Sequence, residues 1–231
     1  MVFANLRHNY GILKERIEKA CQKSNRNPED IRVVAVTKTH PAETVQAVID
    51  LGIRDIGENR VQEMEAKAPF LKGEFSMHMV GHLQTNKVSK VLPLAHWIQS
   101  IDSARLVDRI NFLGGRTQKK IKVLVEVNTS GEPSKSGCMP QECRGLCEYV
   151  SVSSVMELNG LMTIGPLSGG ETETRKSFEL LKKLAEQCRH LIVAKEIVLS
   201  MGMSSDFGWA IEEGSTMIRI GSLLLGNRLG F

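Results

Sequence analysis

The sequence predicts a single (β/α)8 barrel, an α/β fold of the TIM-barrel type, preceded by one extra N-terminal helix. Three observations carry that expectation. Eight short β-type runs alternate with helical stretches along the 231 residues, and repeated strand–helix units give a parallel sheet covered by helices. A barrel of this kind takes about 250 residues, so one barrel uses nearly the whole chain. The alternative is an open doubly wound sheet, but no G-x-G-x-x-G follows the first strand.

The elements follow in order. Phe3, Leu6, Tyr10, Leu13, Ile17 and Ala20 recur at steps of three and four, the mark of an amphipathic helix, which Asn25, Asn27 and Pro28 end. Strands are expected at 32–38, 54–57, 77–81, 97–100, 121–128, 160–164, 196–200 and 216–220. The first intervening helix covers 41–51, with Pro41 at its first helical position and Gly52 just past its end. Further helices are expected at about 58–71, 84–94, 103–113, 140–151, 171–189 and 205–213. In the helix at 171–189, Phe178, Leu181, Ala185 and Cys188 share one apolar face. No linker or low-complexity stretch interrupts the pattern, so residues 1–231 are expected to form one domain.

Composition narrows the function classes. Hydrophobic residues make up 42% and charged residues 24%, as in ordinary globular proteins. The net charge is +4, the basic residues are scattered among acids, and aromatics are only 5%, which argues against nucleic-acid binding. The one basic cluster, Arg116 to Lys122, reads as a solvated turn before a strand. No long apolar run suits a membrane span, and the N-terminus lacks a secretory pattern. The five cysteines, Cys21, Cys138, Cys143, Cys147 and Cys188, point to reduced thiols in a cytoplasmic setting. Cys143 and Cys147 are four apart on a helix and read as small packed side chains rather than metal ligands. His78 and His82 flank the third strand without a carboxylate or cysteine at ligand spacing, so they read as core or rim histidines.

In such barrels the chemistry sits at the C-terminal strand ends. Lys38 closes the first strand-like run. A lysine at the end of an apolar strand can be desolvated, lose its proton and attack an aldehyde; the plainer reading is a solvated strand-exit lysine. Arg219 lies in the last strand, sharing a face with Met217 and Gly221. An arginine there needs a partner, because it cannot shed its charge; Glu58 and Glu126 are the candidates for a structural ion pair. Pyridoxal 5′-phosphate (PLP) would satisfy both Lys38 and Arg219, with an aldehyde at one end and a ring nitrogen at the other. The loops after strands 7 and 8, Ser200 to Asp206 and Gly221-Ser222, suit a phosphate, or are ordinary turns with caps. Asn59 ends strand 2, where it can reach a ring hydroxyl or cap the next helix.

These residues sit in seven motifs spread over the chain: Ala35–Thr39, Gly57–Glu63, His78–Lys87, Val127–Glu132 followed by Ser134–Gly137, Gly160–Gly165, Leu199–Phe207 and Arg219–Ser222. In that order they resemble the PLP homeostasis proteins, over essentially the whole length. The resemblance implies a barrel like the N-terminal domain of bacterial alanine racemase, with PLP held as a Schiff base on Lys38. It implies Arg219 facing the pyridine nitrogen and Asn59 beside the ring. Ser200, the Met201-Gly202 backbone, Gly221 and Ser222 would hold the phosphate. The family carries and buffers PLP without an established catalytic reaction; PLP-dependent apoenzymes are the implied recipients, and a monomer or weak dimer the implied state. Arg60 stands where many relatives have tyrosine, and the end, Leu223 to Arg228, is unusually leucine-rich, with Asn227 where relatives have Ala or Glu. Lys87 and Lys135 read as rim lysines or secondary PLP sites.

The alternative is a PLP-dependent amino-acid racemase or related enzyme. A racemase needs acid–base groups on both faces of the substrate carbon, and the racemase tyrosine comes from a second domain. The only tyrosines here are Tyr10, on the N-terminal helix, and Tyr149, on the helix after strand 5. A third reading is a phosphate-binding barrel enzyme that does not use PLP.

Overall fold

Eight parallel strands close into a barrel in strict chain order, β1 to β8, with β8 paired back to β1. The computed structural model describes residues 2–115 and 120–226. Arg116 to Lys119, Asn227, Arg228 and the side chain of Phe3 lie outside the described residues.

The strands are β1 (Arg32–Val36), β2 (Asp55–Glu58), β3 (Ser76–Met79), β4 (Trp97–Ile101), β5 (Ile121–Glu126), β6 (Met156–Met162), β7 (Val198–Ser200) and β8 (Met217–Ile220). The helices are α1 (Val2–Ser24), α2 (Ala42–Asp50), α3 (Val61–Lys67), α4 (Val88–Val91), α5 (Ala104–Gly114), α6 (Cys143–Ser151), α7 (Gly170–Gln187), α8 (Phe207–Glu212) and α9 (Ser222–Leu225). Among the described residues, no helix is long and apolar enough to cross a membrane.

The period-two alternation of strands sorts the core into two layers. Val34, Val80, Trp97, Leu124, Met162 and Met217 form one apolar cluster, inside the barrel. Their chain neighbours Ala35, Met79, Ile98, Val123, Leu161 and Ile218 belong to the larger layer between strands and helices. The extra helix α1 packs on α8 and α9. Arg26, just beyond it, donates to the carbonyls of Ile211 (2.9 Å) and Ser215 (2.6 Å), and Asn9 donates to that of Leu224 (3.0 Å).

Boundaries differ from expectation where local geometry overrides pattern. β1 stops at Val36, so Lys38 stands in the turn beyond the strand. Pro41 is the N-cap of α2, extended at ψ 164, rather than its first helical residue. α3 starts three residues late because Glu58 still pairs in β2 and Arg60 is extended. The helix expected at 84–94 opens as a 3-10 turn, Thr85–Lys87, and α9 was not foreseen. β6 begins at Met156, four residues early. Gly160, which looks like a strand-opening breaker, lies inside β6, beside a register shift against β5. A Cβ there would overlap the carbonyl of Val198 on β7. Gly160→Ala should therefore destabilise the fold by at least about 3 kcal/mol, the upper end of ordinary overpacking costs, read as a lower denaturation midpoint.

Candidate functional site

A cavity of about 590 Å³ opens at the C-terminal end of the barrel. Of the residues expected in the site, Lys38, Asn59, Arg219, Gly221 and Ser222 line it. Ser200, Met201 and Gly202 are not on its wall.

Lys38 is presented by a clamped turn. The Thr37 hydroxyl donates to Glu58 (2.6 Å), and the Lys67 ammonium donates to the Thr37 carbonyl (2.8 Å), to Glu58 (2.7 Å) and to Glu63 (2.8 Å). Glu63 also accepts from the Thr39 N–H (2.7 Å). Thr39 has φ +67, the left-handed region, where a β-branched residue is strained by roughly 1–3 kcal/mol. Both neighbours of Lys38 are thus tied to one buried ion cluster behind β1 and β2. Burial pushes the Glu58 carboxyl above its ordinary pKa, against the Lys67 and Thr37 hydrogen bonds. Burial acts on Glu63 in the same sense, but hydrogen bonds from Lys67 and Thr39 outweigh it and lower its pKa. Glu58, a candidate partner for Arg219, is therefore spent on Lys67.

Arg219 is 5% exposed. Its guanidinium donates to the Ser200 carbonyl (2.8 Å), the Ser200 hydroxyl (2.7 Å) and the Thr163 carbonyl (2.7 Å), which uses three of the five N–H donors that a guanidinium carries. Burial pulls its pKa down to about 10, so it stays a cation at neutral pH. Because arginine only donates, Ser200 must pass its own proton on, to Gln99 Oε1 (2.6 Å). That orients the Gln99 amide toward His78 Nδ1 (2.9 Å) and leaves the other ring nitrogen of His78 to donate to Asp55 (2.8 Å). Burial lowers the pKa of His78, as this neutral tautomer requires. Ser200, Gln99 and His78 are all fully buried.

Glu126, the other expected ion partner, makes no ion pair with Arg219 among the described residues. It lines the cavity at 4% exposure with Oε2 lacking a hydrogen-bond partner. Burial, opposed by the attraction of Arg219, raises its pKa to about 7.

The phosphate-type loops fold differently from expectation. By strand parity, Ser200 points into the barrel under Arg219. The Met201 N–H is bonded to Met217 (3.1 Å), and Met201 is fully buried. Gly202 has φ +93, and a Cβ on it would press on Phe207 and Ala210 at the foot of α8. The residues of this loop that do face the cavity are Met203, Ser204 and Ser205. The Ser204 hydroxyl accepts from the Leu223 N–H (3.2 Å), which joins this loop to the one at Gly221 and Ser222. Asn59 does not cap α3, whose N-cap is Arg60; it lies against Gly81, where a Cβ would strike the Asn59 backbone.

His40, His82, Asn128, Ser134, Lys135 and Ser136 also line the cavity. Lys135 is tied to the Gly165 carbonyl (2.5 Å) and to Glu132 (2.9 Å). His82 is a rim residue paired with Asp102 (2.9 Å), whereas His78 is core. Tyr10 lies at the opposite end of the barrel, and Tyr149, exposed, donates to Asp108 (2.5 Å); neither lines the cavity. Lys87 stands in the 3-10 turn before α4 and is not on the cavity wall.

The family model described as "Alanine racemase, N-terminal domain" matches residues 3–228. The chain is 34% identical to the pyridoxal phosphate homeostasis protein of Haemophilus influenzae, over 97% of this chain and 96% of that one. It is 38% identical to the human protein of the same name, over 94% and 84%. Among solved structures, PipY of Synechococcus elongatus with PLP bound superposes with TM-score 0.79 at 31% identity, covering 91% of this chain and all of that one.

The two buried acids give opposite expectations. Lys67→Met removes the cation but leaves Glu58 and Glu63, so it should cost about 3–5 kcal/mol, measured by chemical denaturation. Glu126 has a raised pKa, so the folded state holds an extra proton between the unfolded carboxyl's pKa and pH 7. Its contribution is full at low pH and is lost as pH rises toward about 7, a fall of up to about 3 kcal/mol. Glu126→Gln should therefore gain melting temperature over the parent progressively from pH 5 to pH 8; a pH-independent difference would show that Glu126 ionises normally.

Proposed function

The chain belongs to the pyridoxal phosphate homeostasis protein family, and from that premise we propose that residues 1–231 form one domain that carries or buffers PLP, held through Lys38 in the mouth of the barrel. The observation that carries this reading is the convergence of Lys38 and Arg219 on one cavity whose wall has no tyrosine.

The residues present fit the cofactor. When bound, PLP supplies an aldehyde that an amine can capture reversibly, a ring that draws off electron density, and a phosphate that needs donors. Lys38 provides the amine, on a turn whose flanks the Lys67 cluster fixes. Arg219 keeps donors for the ring side and cannot give up or accept a proton there at neutral pH. Facing the ring nitrogen, it favours the unprotonated ring and so weakens electron withdrawal, as suits a carrier. Ser204, Ser205, Gly221 and Ser222 lie where they can hold the phosphate. Ser200, in place of touching phosphate, holds Arg219 in position. Asn59 is set beside the ring by its contact with Gly81. Cytoplasmic PLP-dependent apoenzymes are the recipients this reading implies.

A second reading rests on Glu126. A cavity-facing carboxyl that titrates near neutral pH is the kind of group that moves protons, so a PLP-dependent amino-acid enzyme of racemase type is its natural rival. One experiment separates them. The protein is incubated with PLP, its spectrum recorded, the adduct reduced with borohydride and the labelled peptide mapped; loaded protein is then held with L- and D-alanine in deuterium oxide. We expect a near-visible band, the label on Lys38 and no exchange of the α-proton. Lys38→Ala should lose the label completely and bind PLP at least about tenfold more weakly, a difference of about 1.4 kcal/mol. Label on another lysine would overturn the anchor, and exchange at the α-carbon would overturn the carrier.

A further inference from the structure

Three cysteines far from the cavity meet in the helical layer. Cys143 and Cys147 are one turn apart on the buried face of α6, with Leu146 and Val150. Cys188 caps the C-terminal end of α7, at the end of the apolar face formed by Phe178, Leu181 and Ala185. Their three sulfur atoms lie within 4.8 Å of one another. All three residues are buried, at 0%, 0% and 1% exposure. Among the described residues, no histidine or carboxylate completes the group.

We propose that Cys143, Cys147 and Cys188 form a binding site for a soft, three-coordinate thiophilic ion, of the trivalent metalloid class represented by arsenic(III). Ligand type comes first: sulfur selects soft ions. Ligand number comes second. Structural zinc takes four protein ligands, and only three converge here. Charge decides among the rest. Three thiolates around a divalent ion leave one net negative charge, and around copper(I) they leave two. A dry, apolar setting penalises both, because a net charge is costly to bury and all three cysteines are buried among apolar side chains. A trivalent ion leaves none. The exchange balances without redox chemistry or released protons: As(OH)3 + 3 RSH → As(SR)3 + 3 H2O. Three As–O and three S–H bonds break, three As–S and three O–H bonds form, and a neutral species occupies a neutral site. The way in is the C-terminal end of α7, where the 3-10 turn Arg189–Leu191 exposes Arg189 and His190 beside Cys188. Once bound, the ion ties α6 to α7.

The test uses the full-length protein, reduced with a phosphine and titrated with sodium arsenite. Native mass spectrometry should show one arsenic taken up with loss of three hydrogens, and the melting temperature should rise with arsenite concentration. Cys143→Ala and Cys188→Ala should each weaken binding at least about 100-fold, while Cys138→Ala, whose thiol is buried elsewhere, leaves it unchanged. X-ray absorption at the arsenic edge of the parent protein, which needs no variant to fold, should give a shell of three sulfurs. A shell containing oxygen, arsenite binding that survives Cys188→Ala, or displacement of arsenic by equimolar zinc(II) would overturn the assignment.

Discussion

A guanidinium inside a β-barrel sets the terms for the rest of the interior. Arg219 cannot neutralise itself, and a buried charge without acceptors costs several kcal/mol. The barrel answers with oxygen atoms: the carbonyls of Ser200 and Thr163 and the hydroxyl of Ser200. That choice propagates. Ser200 must donate onward to Gln99, Gln99 to His78, and His78 to Asp55, so one buried arginine fixes an amide orientation and an imidazole tautomer in turn. The chain ends at the far rim, where Asp55 lies 3.6 Å from Arg32 and Arg32 and Lys122 both pack on the ring of Trp97. An unbroken chain of this kind is rigid, since each member's failure leaves a buried polar group unpaired.

A second polar assembly stands outside the barrel wall and does different work. Lys67, Glu58, Glu63 and Thr37 lie between strands and helices, and hold the turn that carries Lys38 in a conformation strained at Thr39. β2 serves both assemblies by alternation: Asp55 reaches inward to His78, while Glu58 reaches outward to Lys67. Arg219 and the turn of Lys38 are thus positioned independently, Arg219 from within and Lys38 from behind. Between them, Ser204 accepts from the Leu223 N–H and so ties together the two loops that face the cavity.

Much of this was legible in the chain. Alternating patterns located all eight strands, and their order around the barrel is the order in sequence. Lys38 and Arg219 stood out because a strand-exit lysine and a strand-interior arginine each raise a question of charge. Ser200 sits in a Ser-Met-Gly run that looks like a phosphate loop, but its place under Arg219 and off the cavity wall follows from the side-chain parity of a three-residue strand, and parity needs the strand's end point. Gly160 misled, as a glycine that admits a neighbouring backbone looks the same as one that breaks a strand. Glu126 was visible as a possible ion partner, but its raised pKa depends on the depth at which it is buried. The cysteine trio was beyond reach. Each apolar stripe could be read from its period, but whether two stripes on different helices meet depends on how α6 and α7 pack.

These losses share a cause. Period and composition report what one element needs; contacts between elements are set by the closure of the barrel. Where one element's need has a single answer, as with a buried arginine that must find oxygens, the sequence announces the site. Where several answers serve, as with thiols that pack equally well alone or together, only the assembled fold distinguishes a core from a constellation. The same logic bears on what the cavity can do. Arg219 and Lys135 are held in place by hydrogen bonds to oxygen atoms, while Glu126, whose pKa burial raises to about 7, keeps an Oε2 atom without a hydrogen-bond partner. Holding an anionic ligand needs the first property and chemical turnover the second. The hydrogen bonds around Arg219 and Lys135 serve the first, which is the physical support for the proposal that the barrel holds its cofactor.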